Sequence, residues 1–104
     1  MATPRITVLI SGRGSNLAAV IDAMRAGTLA GTVTQVVSNR RDAGGLAIAR
    51  NHGIATAIVD HRDFGTRDAF DAALADAVDA NRPDLMVLAG FMRVLGAPFV
   101  RRYA

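Results

Sequence analysis

At 104 residues, with 12 basic and 9 acidic side chains and a net charge of +3, the chain has the size of one small domain or of part of a larger one. It is 51% hydrophobic, enough for a packed core, yet no apolar run approaches the ~20 residues of a membrane span. The absence of cysteine excludes a disulfide framework, a zinc thiolate site and a thiol nucleophile.

The opening Met1-Ala2-Thr3-Pro4-Arg5 has neither the charged nor the long apolar region of a secretory signal, so the expectation is a cytoplasmic protein without membrane association. Every basic residue is Arg and every acidic one is Asp, which points to codon bias in a GC-rich genome rather than to a partner. The arginines are scattered, only Arg40-Arg41 and Arg101-Arg102 being adjacent, and aromatics are few. Nucleic-acid binding is therefore not expected.

In chain order, residues 6–10 are a β-branched and apolar run that predicts a buried strand. It ends in Ser11-Gly12-Arg13-Gly14-Ser15-Asn16, after which Leu17, Val20, Ile21 and Met24 mark one face of a helix that Gly27 can end. Residues 32–38, rich in Val and Thr, predict a second strand. A short helix over 46–51 follows, with Gly53 as its stop, and then a brief third strand over 55–59. Phe70, Leu74 and Val78 recur along a third helix over 67–81, with Thr66 or Asp63 available as its N-cap. Arg82-Pro83 breaks that helix. Residues 85–89 form a continuous apolar strand, as in the middle of a parallel sheet. After Gly90 a loop reaches Pro98, which suits the start of a last short helix towards Tyr103. There are no repeats, low-complexity tracts or linkers.

Alternating strands and helices with short connections predict an α/β, Rossmann-like, doubly wound parallel sheet with right-handed crossovers, in strand order 3-2-1-4. Ligands of such sheets bind beyond the carboxyl ends of the strands, where the winding reverses. Here that is between strands one and four, so the loops 12–16 and 90–95 are expected side by side.

The first loop has the chemistry of an anion site. Its glycines let backbone N–H groups converge at the positive end of a helix, and Ser15 and Asn16 add side-chain donors. The third glycine of a dinucleotide fingerprint would fall at Leu17, so a small terminal phosphate fits better than a pyrophosphate. The plainer alternative is a turn made by the glycines with Ser15 capping the helix. Arg40 and Arg41, after Ser38-Asn39 at the end of strand two, could pair with the 2′-phosphate of NADP, which keeps an NADP-binding reductase domain as a rival. A solvated loop explains them as well. In the second loop, Phe91, Met92 and Leu95 could line a slot for a flat heterocycle, and the embedded Arg93 needs a partner or a ligand. His52 and His61 have no second ligand at metal-binding spacing and read as structural, as do Asp60, Asp63 and Asp68 in loops and caps.

Taken together, Val8-Leu9-Ile10-Ser11-Gly12-Arg13-Gly14-Ser15-Asn16-Leu17, Ser38-Asn39 and Leu88-Ala89-Gly90-Phe91-Met92-Arg93-Val94-Leu95 closely resemble the phosphoribosylglycinamide formyltransferase family. The similarity extends over essentially the whole chain, including Gly53-Ile54-Ala55 and residues 64–70. The resemblance implies an enzyme of de novo purine synthesis that moves a formyl group from 10-formyltetrahydrofolate, as co-substrate, to the amino group of glycinamide ribonucleotide. By position, Gly14, Ser15 and Asn16 would hold the ribose 5-phosphate. Arg67 and the run Met92, Arg93, Val94 and Leu95 would bind the folate, the run largely through main-chain groups. No metal or nicotinamide is implied, the partners are small molecules, and a homodimer is compatible with the family.

Members of that family run to about double this length. Their catalytic Asn and His, in an Asn-x-His-Pro-type motif, and a later Asp match no residue here. The expectation is therefore an apparently truncated half-domain over 1–104, with the phosphate site, part of the folate site and no catalytic residue. Alone it should be inactive, and strand four should present an apolar edge prone to association. A non-catalytic phosphate-ligand-binding module is the alternative of a different class.

Overall fold

The computed structural model describes residues 4–12, 14–27 and 31–89. Strands β1 (Arg5–Ile10), β2 (Thr32–Ser38), β3 (Ala55–Ile58) and β4 (Leu85–Leu88) alternate with helices α1 (Ser15–Arg25), α2 (Gly45–Asn51) and α3 (Arg67–Asp79). All strand pairs are parallel, in the order β3-β2-β1-β4. The winding thus reverses between β1 and β4, as the alternation of elements requires.

β1 is central because its sequence can be buried on both faces. Ile6, Val8 and Ile10 join Leu17 and Ile21 of α1 and Leu46 and Ala49 of α2 in one core layer. Leu9 points to the other face, where Val37 and Val59 meet Phe70, Leu74 and Val78 of α3. The two layers are kept in phase by an irregularity in the β1–β2 pairing. Ile6 lies opposite Val33 but Thr7 lies opposite Gln35, which leaves Thr34 as an extra residue. Val33 and Val36 can therefore share the α1–α2 layer although they are three positions apart. The buried polar groups beneath α3 are paired. Gln35 Nε2 donates to the Ala77 carbonyl at 3.2 Å, and Thr7 Oγ1 donates to Gln35 Oε1 at 3.4 Å.

Several boundaries differ from the sequence expectation, each for a local reason. α1 starts at Ser15 rather than Leu17, because the first turn of a helix does not have to contribute to the apolar face. α2 likewise starts one residue early, at Gly45. α3 ends at Asp79, its last turn closing through Arg82 N–H to the Asp79 carbonyl at 3.0 Å. Its N-cap is Thr66, whose Oγ1 accepts from Ala69 N–H at 3.1 Å; Asp63 does not serve. β3 and β4 each end one residue short, although Val59 and Ala89 still donate to Ser38 and Leu9 carbonyls at 2.9 Å. Gly27 and Gly53 follow α1 and α2 with φ of 79° and 70°, as helix stops do. The loop from Gly90 and the last helix towards Tyr103 lie outside the described residues.

One element had no signal in the sequence pattern, a 3-10 turn at His61–Asp63 between β3 and α3. Asp60 organises it. Its carboxylate accepts from Arg62 N–H at 2.9 Å and from Arg62 Nη2 at 2.8 Å, and lies 3.2 Å from Arg41 Nε. Arg41 also donates to Asp63 at 2.6 Å. The Arg62 side chain and backbone, with Arg41 beside them, hold the Asp60 carboxyl far below the ordinary carboxylate range.

Leu74 is fully buried between α3 and the sheet. Leu74→Ala should cost about 2–5 kcal/mol in urea denaturation, against about 1 kcal/mol for loss of the α3 cap in Thr66→Ala. The depressed Asp60 group supplies stability that is present above the unfolded carboxyl value of ~3.9 and is lost as pH falls through the lower folded value. Asp60→Asn should accordingly be less stable at neutral pH, and its stability should fall less steeply below pH ~4 than that of the parent. Equal acid slopes in denaturation series from neutral to acid pH would refute this assignment.

Candidate functional site

The carboxyl end of β1 delivers the chain straight into the glycine turn. Ile10 and Ser11 are buried, Gly12 is exposed, and Gly14 is buried with φ 88° and ψ 16°, a left-handed conformation that an L side chain resists. Gly14 is the N-cap of α1. The earlier alternative of Ser15 as the cap therefore does not hold: Ser15 is the first helical residue, and among the described residues no side chain caps this helix end.

The electrostatic consequence follows from helix geometry. The first internal bond of α1 runs from Ala18 N–H to the Gly14 carbonyl at 2.8 Å, so the helix provides no acceptor for the N–H groups of Ser15, Asn16 and Leu17. The first turn contains no acidic residue to compete for them. Asn16 is exposed beside these donors, while Leu17 is fully buried and anchors the helix in the core. Backbone donors and the positive helix end thus face the carboxyl edge of the sheet, an arrangement suited to an anion.

The turn is backed by α2. Gly45 N–H donates to the Gly12 carbonyl at 3.2 Å. A Cβ added to Gly14 would lie 2.5 Å from Gly45 Cα, so the two backbones touch. Sequence reasoning missed Gly45, although the Gly44-Gly45 doublet just before the apolar Leu46 was a visible sign of close approach.

At the end of β2, Asn39 is 2% exposed and its N–H donates to the Ile10 carbonyl at 3.3 Å, tying this strand end to the root of the turn. The Asn39 carbonyl oxygen lies 3.2 Å from His61 Nδ1, which gives His61 a structural role. Asn39 Oδ1 has no hydrogen-bond partner among the described residues. Arg40 pairs with Asp42 at 3.3 Å, and Arg41 bridges Asp60 and Asp63. The two arginines are thus neutralised by neighbouring carboxylates. His52 is the exposed C-cap of α2, a position that suits a cationic side chain.

The two sequence-predicted loops begin on neighbouring strands, since Ala89 N–H donates to the Leu9 carbonyl at 2.9 Å and places the exit of β4 beside that of β1. Phe91, Met92, Arg93, Val94 and Leu95 lie outside the described residues, as does Arg13. Arg67 is exposed at the first turn of α3, which packs on the sheet face opposite α1. Among the described residues no group of three or more His, Asp or Glu side chains could hold a metal ion, and no helix is long and apolar enough to cross a membrane.

Comparison with known proteins agrees with this fold. A formyl transferase family model matches residues 4–104. The phosphoribosylglycinamide formyltransferase of Escherichia coli K12 is 50% identical over 99 residues, which are 95% of this chain and 47% of that protein. The trifunctional purine biosynthetic protein adenosine-3 of Drosophila melanogaster is 48% identical over 95% of this chain, which spans 8% of its length. The solved structure of the Coxiella burnetii phosphoribosylglycinamide formyltransferase superimposes with a TM-score of 0.93 and 46% identity, over 99% of this chain and 48% of that one. The chain spans about half the length of these single-function relatives. By its sequence match and its α/β architecture, the chain belongs to the formyl transferase family.

Proposed function

We propose that this chain is the substrate-phosphate half of a phosphoribosylglycinamide formyltransferase of purine biosynthesis. Its turn at residues 12–16 binds the 5-phosphate of glycinamide ribonucleotide, through Gly14, Ser15 and Asn16. The observation that carries the reading is the uncapped, acid-free start of α1 at the switch point of the sheet. The 50% identity to the Escherichia coli phosphoribosylglycinamide formyltransferase supports glycinamide ribonucleotide as the owner of that anion.

The co-substrate is 10-formyltetrahydrofolate. In this reading the segment that follows Ala89, with Met92, Arg93, Val94 and Leu95, holds its pterin, and Arg67 contributes from the start of α3. Attack of the ribonucleotide amine on the formyl carbon builds charge on the carbonyl oxygen. Collapse then breaks the bond from that carbon to N10 of the folate, which leaves as tetrahydrofolate carrying a proton while the amine gives one up. The reaction therefore needs hydrogen-bond donors and a group that moves the proton. The part played by residues 1–104 is binding and orientation: a phosphate fixed at one end of the ribonucleotide presents the amine at the other end to the folate. No metal takes part, and the half-domain requires a second half for turnover.

The NADP reading fares poorly because Arg40 and Arg41 already face Asp42, Asp60 and Asp63. NADPH should show no saturable binding to the chain, and a binding isotherm abolished by Arg40→Ala would revive that rival.

Calorimetric titration tests the main reading directly. Glycinamide ribonucleotide should bind the chain more tightly than the same compound without its phosphate. Ser15→Ala and Asn16→Ala should each weaken that binding by about 1–3 kcal/mol and leave folate affinity unchanged. Equal losses for both ligands, or indifference to the phosphate, would sink the assignment. A protein joining this chain to the second half found in its relatives should consume formylfolate. If it bound the ribonucleotide without consuming formylfolate, the non-catalytic binding module would be the correct description.

A further inference from the structure

We infer that Gly45, which contacts no substrate in this reading, is a positioning residue: the first turn of α2 sets the shape of the phosphate turn through a backbone-to-backbone contact with Gly14. The inference rests on residues 12–16 being the phosphate site.

Gly45 does not have a backbone conformation that calls for glycine. Its φ is not among the positive values found at Gly14, Gly27 and Gly53. It lies in a helix, where alanine is the better former. Space is what excludes a side chain. A Cβ at Gly45 would stand 2.6 Å from Ile10 Cδ1, 3.1 Å from Gly14 Cα and 3.6 Å from the Gly12 carbonyl oxygen. The first of these is the far end of a flexible side chain and can move aside. The second is backbone of the turn itself, and it can yield only if the turn shifts.

The reciprocal contact is tighter. A Cβ at Gly14 would meet Gly45 Cα at 2.5 Å and Gly45 N at 3.1 Å. Gly45 also holds the turn by a bond, its N–H donating to the Gly12 carbonyl at 3.2 Å. That bond directs the Gly12 carbonyl, an acceptor that would repel an anion, towards α2. Two contacts from one residue therefore fix both the position of Gly14 and the direction of the Gly12 peptide. The N–H groups that follow at Ser15 and Asn16 inherit their aim from these.

Gly45→Ala should therefore leave α2 and the fold in place and displace the turn by a few tenths of an ångström. The test compares the chain with Gly45→Ala and with Ile10→Val/Gly45→Ala, in which the Cδ1 clash is removed and only the push on Gly14 remains. Affinities for glycinamide ribonucleotide and for its dephosphorylated form are measured together with the amide NMR signals of Gly12, Gly14 and Asn16. The expected result is a roughly tenfold loss for the ribonucleotide, little change for the dephosphorylated compound, and amide shifts centred on residues 12–16 in both variants. A purely structural defect would lower both affinities together, and that outcome overturns the proposal, as does an unchanged preference for the phosphate. Should Gly45→Ala alone fail to fold, the double variant decides. If the parent chain itself does not discriminate the phosphate, the functional reading has failed. The amide signals then judge the clamp separately: shifts centred on the turn uphold it, and their absence overturns it.

Discussion

The structure depends on β1 being buried on both faces and paired on both edges. Ile6, Val8, Leu9 and Ile10 are all inaccessible to solvent, with α1 and α2 on one side and α3 on the other. Pairing with β2 and β4 leaves the strand no freedom to slip, because a one-residue shift would send Leu9 and Thr7 to the wrong layers. A turn that springs directly from such a strand starts from a fixed point. Its amide groups are thus placed before any ligand arrives, which is the requirement for binding an anion without a large ordering cost.

Charge at the carboxyl edge of the sheet is partitioned in a way that composition alone would not suggest. The chain is net basic, and arginines stand where β2 ends. They close on carboxylates of their own neighbourhood: Arg40 on Asp42, Arg41 on Asp60 and Asp63, and Arg62 on Asp60. The first turn of α1 has no acid and, among the described residues, no side-chain cap. Formal positive charge is therefore used to brace the loop between β3 and α3, while the backbone dipole of α1 is left open to an anion. Exposed pairs such as Arg40 with Asp42 add little stability by themselves. Asp60 differs because it is buried and also accepts a backbone N–H, which makes it the hinge pin of the 3-10 turn.

The element order, the strand order and the position of the glycine turn were legible because they follow from period and punctuation. Alternating apolar runs and helical faces define a doubly wound sheet, and Ser11-Gly12 through Asn16 marks its switch point. Other features were not legible, for particular reasons. The extra residue Thr34 is invisible in the run Thr32-Val33-Thr34-Gln35-Val36-Val37 of β2, since only the identity of the facing residues reveals it. The 3-10 turn is held by local bonds from Arg62 to Asp60 and by ion pairs from Arg41, and pattern over a few residues does not contain the latter. β4 illustrates the limit of composition. Its continuous Leu85-Met86-Val87-Leu88 has the make-up of an interior strand, yet among the described residues it pairs only with β1, with Leu85 and Leu88 about half exposed. Apolar content records which surfaces can be buried; it does not say by what.

The missing third glycine of the dinucleotide fingerprint has a structural counterpart that bears on ligand size. In a dinucleotide site that glycine lets the helix press against the first strand, so the pyrophosphate can cross the helix end. Here the position is Leu17, fully buried, and its side chain fills the space between α1 and the sheet. Close approach occurs elsewhere, between Gly14 and Gly45, so the turn is drawn towards α2 rather than towards β1. Moving the tight contact from helix-on-strand to turn-on-helix leaves a compact cluster of donors at the tip of α1 instead of a groove running along it. A cluster of that shape is matched to a single terminal phosphate. Under the proposed function the rest of the ligand extends along the carboxyl edge towards β4, whose exit lies beside that of β1.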